Sequence, residues 1–291
     1  MKQNKLRRTM LYIPGNNPNM IQNGGVYGAD GIMLDLEDAV AISRKKDARI
    51  LVRNMLQTMD FYGAEITVRI NGLQTEFALL DMEAIVPCKP DALRIPKVET
   101  MGDIQTADQI ISKIEKKHKI PQGTVKIHAM VETALGVENA FQIAQASPRV
   151  VVLTIGGQDL TADMGVKKTL NGQEIAYARQ RIVMAAKAAK VAALDTIFAD
   201  VDDEAGLIKE TEMIKELGFD GKAVINPRQI NLVHTVFTPK AAEIEKATRI
   251  VKAFKKAQKD GIGVFAIDGK MIDAPVVARA QRVLDLAGEK K

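Results

Sequence analysis

Eight short apolar runs, each followed by an amphipathic stretch, recur through residue 236 at a spacing of roughly 30 residues. The runs lie at 9–14, 31–36, 66–70, 92–96, 126–131, 150–155, 195–199 and 222–226. They are continuously apolar instead of alternating, as parallel strands covered by helices must be. The stretches between them, 18–27, 43–59, 74–85, 100–117, 134–145, 174–192, 203–217 and 227–236, read as helices with one apolar face. Eight strand–helix units are the arithmetic of an α/β fold of the (β/α)₈ barrel type, whose usual length is about 250 residues. A doubly wound open sheet is the other topology, but its nucleotide-binding loop is missing from the sequence.

The pattern changes after residue 238. Thr238-Pro239 opens a helix predicted over 240–259, and Asp260-Gly-Ile-Gly263 ends it. Val264 to Ile272 then reads as a hairpin turning at Asp268-Gly269, and Pro275 begins a last helix reaching about 286. Residues 1–238 are therefore expected to form a catalytic barrel domain. Residues 239–291 form a C-terminal extension that caps the barrel mouth or reaches a neighbouring subunit. Gly261-Ile-Gly263 superficially matches a dinucleotide fingerprint, yet it follows a lysine-rich helix and not a strand.

Composition excludes several kinds of chemistry. A single cysteine, Cys88, rules out a disulfide scaffold and a cysteine-based zinc site, and suits a reducing compartment. No apolar run approaches the ~18 residues of a membrane span, and no signal-peptide pattern follows the basic N-terminus. A cytoplasmic protein is expected. Three serines and three histidines without a G-x-S-x-G elbow argue against a serine triad, and no histidine spacing suggests zinc. A net charge of +5 suits an anionic ligand or acidic partner, but 4% aromatics leave little for stacking nucleic-acid bases.

In a barrel of this kind the active site lies at the carboxyl ends of the strands. Those ends carry an excess of carboxylates, together with one arginine. Glu132 closes the fifth strand and Asp159 follows the Gly156-Gly157 turn after the sixth, so the two acids face one site. Two carboxylates with room for water match Mg²⁺, although each acid also reads as a helix cap. Arg69, inside Thr67-Val-Arg-Ile-Asn71, is either a forked donor to a substrate oxygen or a buried ion-pair partner of Glu37 or Asp35. His128, flanked by apolar residues, reads as a core histidine.

Six ordered segments carry a resemblance. Arg8-Thr-Met-Leu-Tyr-Ile-Pro-Gly15, Gly31-Ile-Met-Leu-Asp-Leu-Glu-Asp-Ala-Val40, Val68-Arg-Ile-Asn71, Ala129-Met-Val-Glu-Thr133, Gly156-Gly-Gln-Asp-Leu160 and Lys270-Met-Ile-Asp-Ala-Pro275 resemble the citrate lyase β-subunit (CitE-like) branch of the HpcH/HpaI aldolases. The resemblance implies a Mg²⁺-dependent carbon–carbon lyase that cleaves citryl-acyl carrier protein, or citryl-CoA, to oxaloacetate and an acetyl thioester. It makes Glu132 and Asp159 metal ligands, with Arg69 and Glu132 touching substrate. Asp273 becomes the acid/base group, often delivered to a neighbouring subunit's site, although an Asp just before Ala-Pro also caps helices well. Asp35, Glu37 and Asp38 match a family segment without assigned individual roles. The implied partners are an acyl carrier protein subunit and an acyltransferase subunit in a homo-oligomeric assembly, with neither nucleic acid nor membrane involved.

Malyl-CoA and citramalyl-CoA lyases share much of this pattern, so a stand-alone acyl-CoA lyase is a second reading. A non-catalytic scaffold subunit is a third. A pyruvate-type aldolase of the superfamily uses a histidine where Asp38 stands, which counts against that reading.

Overall fold

Thr9–Pro14 (β1), Gly31–Asp35 (β2), Glu65–Arg69 (β3), Ala92–Ile95 (β4), Lys126–Val131 (β5), Val150–Ile155 (β6), Ala192–Asp195 (β7) and Gly221–Val224 (β8) pair in parallel, each with the next. The pairing of Thr9 with Lys222 closes β8 onto β1, so the expected (β/α)₈ barrel is the observed fold. The computed structural model describes residues 5–169, 171–259 and 263–288. Helices Pro18–Asn23 (α1), Lys45–Thr58 (α2), Phe77–Ile85 (α3), Met101–Lys117 (α4), Ala134–Glu138 (α5), Ala140–Gln145 (α6), Gly157–Asp163 (α7), Ala176–Ala189 (α8), Glu204–Leu217 (α9) and Arg228–Phe237 (α10) connect the strands.

The strands are buried on both faces because both are covered. In β2 every residue is buried, and the helices close the outer side. Inside, Met10 and Met33 from β1 and β2 meet Val152 and Leu194 from β6 and β7, an apolar layer assembled across the barrel axis. Helix α4 begins where the sequence places it because Thr100 and Asp103 form a reciprocal capping box with the first backbone N–H groups.

One strand sits earlier than the sequence suggests. The seventh was expected at 195–199, yet it occupies Ala192–Asp195. The alanine-rich helix before it stops at Lys190, whose left-handed backbone (φ 58°) ends the turn and releases Ala192–Asp195 as a strand. Asp200, the residue directly after the run 195–199, lies in the loop that follows β7, where it accepts the Asp202 and Asp203 N–H groups.

The described residues form two units, Arg7–His234 and, apart from it, residues 5–6 with 235–259 and 263–288. In the second unit Ala241–Lys259 (α11) and Ala274–Gly288 (α12) pack through Ala247, Ile250, Val251 and Ala280, with Ile272 from the hairpin Phe265–Ile267 (β9) and Lys270–Ile272 (β10). The expected primed turn is present, with Asp268 and Gly269 both at positive φ. Residues 260–262 of the Asp260-Gly-Ile-Gly263 segment lie outside the described residues. Among the described residues no helix is long and apolar enough to cross a membrane.

Candidate active site

Asp35, Arg69, Arg94 and His128 are register partners on β2, β3, β4 and β5, so four polar side chains share one level of the barrel. Charge at that depth persists only when paired. Arg69 donates from Nε and Nη2 to the two Asp35 oxygens at 2.8 and 2.6 Å, a bidentate fork. Its Nη1 lies 2.9 Å from Glu37 Oε2 and 3.2 Å from Asp38 Oδ2. Burial pulls the Arg69 pKa down, but the Asp35 hydrogen bonds and charge outweigh it and leave it raised. Arg94 is fully buried and donates to Tyr12 Oη at 2.6 Å, and the Arg69 and Arg94 guanidiniums lie 5.6 and 5.5 Å from the centre of the Tyr12 ring. His128 is completely buried, as expected of a core histidine, with Nδ1 3.5 Å from Arg94 Nη2.

The turn after β2 is fixed from beneath. Lys45, on α2 and itself buried, donates from Nζ to the carbonyls of Leu36 and Glu37 at 2.8 and 2.6 Å. Asp35 Oδ1 accepts the Glu37 N–H at 2.8 Å. Glu37 is thereby held in the protein, where burial, and after it the charge of Asp38, pushes its carboxyl up to about 7 against the opposing pull of Arg69.

Glu132 follows β5 and is fully buried. It is not the cap of α5, a role taken by Thr133, whose side chain accepts the Gly136 N–H. Its Oε1 accepts the Lys97 N–H at 2.7 Å, whereas Oε2 is buried without a hydrogen-bond partner. Burial, then the charges of Glu37 and Asp159, push this carboxyl up to about 8, against the Lys97 N–H and Arg69. A Cβ at Gly156 would collide with Glu132 Oε2, which is why glycine stands there. Asp159 lies in the first turn of α7, and its side chain is not that helix's cap. It lines a cavity of about 440 Å³ together with Tyr12, Asp35, Asp38, Arg69, Gly156 and Thr196.

The structure thus gathers Arg69, Asp35, Glu37, Asp38, Glu132 and Asp159 at the strand ends. Asp273 belongs to the other unit, where it caps α12 by accepting the Val276 N–H at 3.0 Å. Sequence reasoning missed Tyr12 and Thr196. Tyr12 was hidden within an apolar run, and Thr196 was displaced by the misplacement of β7; only the apolar run 191–194 pointed to it.

Among the described residues no three His, Cys, Asp or Glu side chains converge as a ready metal cage. Mg²⁺ does not need one, because it keeps several waters and is commonly bound through one or two carboxylates plus substrate. The unpartnered Glu132 Oε2 and the room left by Gly156 fit such an ion. So does the charge balance, since five carboxyls (Asp35, Glu37, Asp38, Glu132 and Asp159) outnumber Arg69, Arg94, Lys97 and Lys45 by one when all are ionised.

The sequence profile of the HpcH/HpaI aldolase/citrate lyase family matches residues 8–227. The chain is 46% identical to the citrate lyase subunit beta of Leuconostoc mesenteroides subsp. cremoris, over 99% of its own length and 95% of that protein's. It is 43% identical to the Haemophilus influenzae subunit over 97% of each chain. Among solved structures, CitE of Mycobacterium tuberculosis in complex with magnesium, acetoacetate and coenzyme A superposes with a TM-score of 0.79 at 29% identity, covering 97% of this chain and 98% of that one. A barrel with acids and one forked arginine at its strand ends is here a carbon–carbon lyase. The chain belongs to the HpcH/HpaI aldolase/citrate lyase family.

Proposed function

We propose that this chain is the β subunit of a citrate lyase complex and cleaves a citryl thioester, on an acyl carrier protein or CoA, into oxaloacetate and an acetyl thioester. The observation that carries the proposal is the buried, unpartnered Oε2 of Glu132, packed against Gly156, which lines the same cavity as Asp159 and Arg69. Glu132 and Asp159 would hold Mg²⁺. Bound there, the ion acts as a Lewis acid toward the substrate hydroxyl and the α-keto acid product.

The reaction is a retro-Claisen cleavage. The tertiary hydroxyl loses its proton, the carbon–carbon bond breaks, and an acetyl-thioester enolate leaves and is protonated at carbon. Arg69 contributes fixed positive charge for a substrate carboxylate or enolate oxygen, and its fork to Asp35 means that little reorganisation is needed. Asp273 is assigned the proton transfer, while Asp35, Glu37 and Asp38 hold Arg69 in place. An acyl carrier protein subunit, an acyltransferase subunit, homo-oligomerisation and a cytoplasmic setting belong to the same proposal.

Incubating the purified chain and Mg²⁺ with citryl-CoA, malyl-CoA and citramalyl-CoA tests the reading, with oxaloacetate release from citryl-CoA expected to dominate. Preference for malyl-CoA or citramalyl-CoA would make it a stand-alone acyl-CoA lyase. Inertness toward all three, and toward citryl-carrier, would make it a scaffold. Copurification with a carrier and an acyltransferase is expected from the native source.

Metal binding has its own signature. A carboxyl that titrates near 8 must lose its proton to ligate a cation, so Mg²⁺ affinity is expected to climb with pH up to about 8 and level off above. Calorimetric titration at pH 7 in buffers of different ionisation enthalpy should register proton release on binding. Binding without proton release would remove Glu132 from the ligand set.

A further inference from the structure

Four lysines among the described residues have left-handed backbones, and three of them end helices: Lys89, Lys119 and Lys190. Lys97 ends none. It follows β4 with φ 52°, a conformation that costs an L-residue energy and that glycine would adopt freely. Strain kept at a residue that could be glycine points to a use for its side chain or for the direction it gives the backbone.

Both are visible. The left-handed turn directs the Lys97 N–H to Glu132 Oε1 at 2.7 Å, and the next residue continues along β5, with Val98 N–H donating to the Met130 carbonyl at 3.0 Å. The side chain is about half exposed and brings Nζ to within 3.4 Å of Glu37 Oε1, beyond β3 and its Arg69. One residue therefore joins the ends of β5, β4 and β2.

We infer that Lys97 is a positioning residue with two separable actions. Its backbone N–H occupies Glu132 Oε1 and leaves Oε2 as the single ligating oxygen, and its ammonium shares Glu37 with Arg69. Glu37 is the one acid near the cavity that both cations touch. With Lys97 holding one oxygen of Glu37, the Arg69 Nη1 edge is less completely neutralised and stays available to a substrate carboxylate. Without the ammonium, Glu37 settles fully on Arg69 and competes with substrate for it. This assignment rests on the lyase reading above, but its metal-binding half does not require turnover.

The test compares three variants of the full chain by Mg²⁺ calorimetry and citryl-CoA kinetics. Lys97→Gly keeps both the N–H and the left-handed turn and loses only the ammonium. Its Mg²⁺ affinity is expected to be no weaker than wild type, while KM rises about tenfold with a smaller change in kcat, the mark of lost substrate binding. Lys97→Arg is expected to restore KM. Lys97→Val carries a β-branch that opposes the left-handed turn, so its Mg²⁺ affinity is expected to fall about tenfold or more. Should the valine variant fail to fold, Lys97→Ala, which opposes the turn more mildly, is expected to weaken Mg²⁺ in the same direction. Wild-type KM in the glycine variant would overturn the ammonium's role, and undiminished Mg²⁺ binding in a folded valine or alanine variant would overturn that of the N–H. A wild-type chain that binds Mg²⁺ but cleaves no thioester would defeat the lyase reading and leave the metal comparison standing.

Discussion

Glu132→Gln is expected to abolish thioester cleavage and, in EDTA at pH 8.5, to melt at a higher temperature than wild type. The amide keeps the shape of the side chain and still accepts the Lys97 N–H through Oε1. It puts a neutral group where Oε2 stands unpartnered, so the site loses both a charge and a ligand for a hard cation. Loss of one preorganised group typically costs 10²–10³ in kcat, and loss of the cation with it makes about 10³ the least drop expected. The stability gain follows from the direction of the pKa shift. Above the ordinary 4.5 the unfolded chain releases the Glu132 proton, while the folded protein keeps it until about 8. Across that window each pH unit costs the folded state up to about 1.4 kcal/mol, and above it the penalty is constant. Relaxation and water entry reduce the sum, so a gain of roughly 2–3 kcal/mol, or roughly 3–5 °C, is expected. The gain should vanish at pH 4 and reverse in saturating Mg²⁺, which stabilises only a protein that binds it. Calorimetric melting at the two pH values, with and without Mg²⁺, checks all three. Retention of turnover by the variant would remove Glu132 from the reaction.

The barrel was legible because parallel strands covered on both faces leave continuous apolar runs, and eight of these at even spacing admit few folds. Glu132, Asp159 and Arg69 were legible because a charge at the end of such a run is conspicuous. What Arg69 touches was open between two readings, and the structure gives it the ion pairs: Asp35 takes two donors, and Glu37 and Asp38 share the third. Periodicity cannot say which acid of Asp35, Glu37 and Asp38 turns inward, because that depends on Lys45 holding the turn from a helix eight residues away. Tyr12 passed as an ordinary strand residue, since its polar tip matters only once Arg94 reaches it from across the barrel. The seventh strand was misplaced because Val191-Ala-Ala-Leu continues a helical alanine pattern, and the left-handed Lys190 that breaks it leaves no trace in composition. With the strand went Asp195, which sequence reasoning gave no role.

Asp195 now carries the second large expectation: Asp195→Ala should destabilise the protein by about 3–5 kcal/mol. Its carboxylate is completely buried and accepts Arg179 Nε and Nη2 at 2.9 Å and Lys222 Nζ at 2.9 Å. Burial alone would raise its pKa, but Lys222 and Arg179 hold it below the usual carboxylate range. Both cations are themselves buried and turn to Glu210 as well, at 2.6 Å for Lys222 and 2.9 Å for Arg179. Removing Asp195 therefore strands two buried cations on one remaining acid, and the cost is that of uncompensated charge. For a protein of this size the loss corresponds to roughly 5–8 °C in Tm. A depressed carboxylate pKa stabilises the fold above the unfolded value, so the wild-type advantage should persist at neutral pH and shrink below about pH 4. Adding Lys222→Met to the variant removes one stranded cation, and the double variant is expected to recover part of the loss. That recovery distinguishes stranded charge from a simple cavity, which a second truncation would only enlarge. Activity should fall as well, because Lys222 Nζ also binds the carbonyl of Thr196, and Thr196 both lines the cavity and accepts the Gly157 N–H at 3.0 Å. Thermal melts of the single and double variants decide it: a double variant less stable than Asp195→Ala would show that the network holds β7 by shape and not by charge.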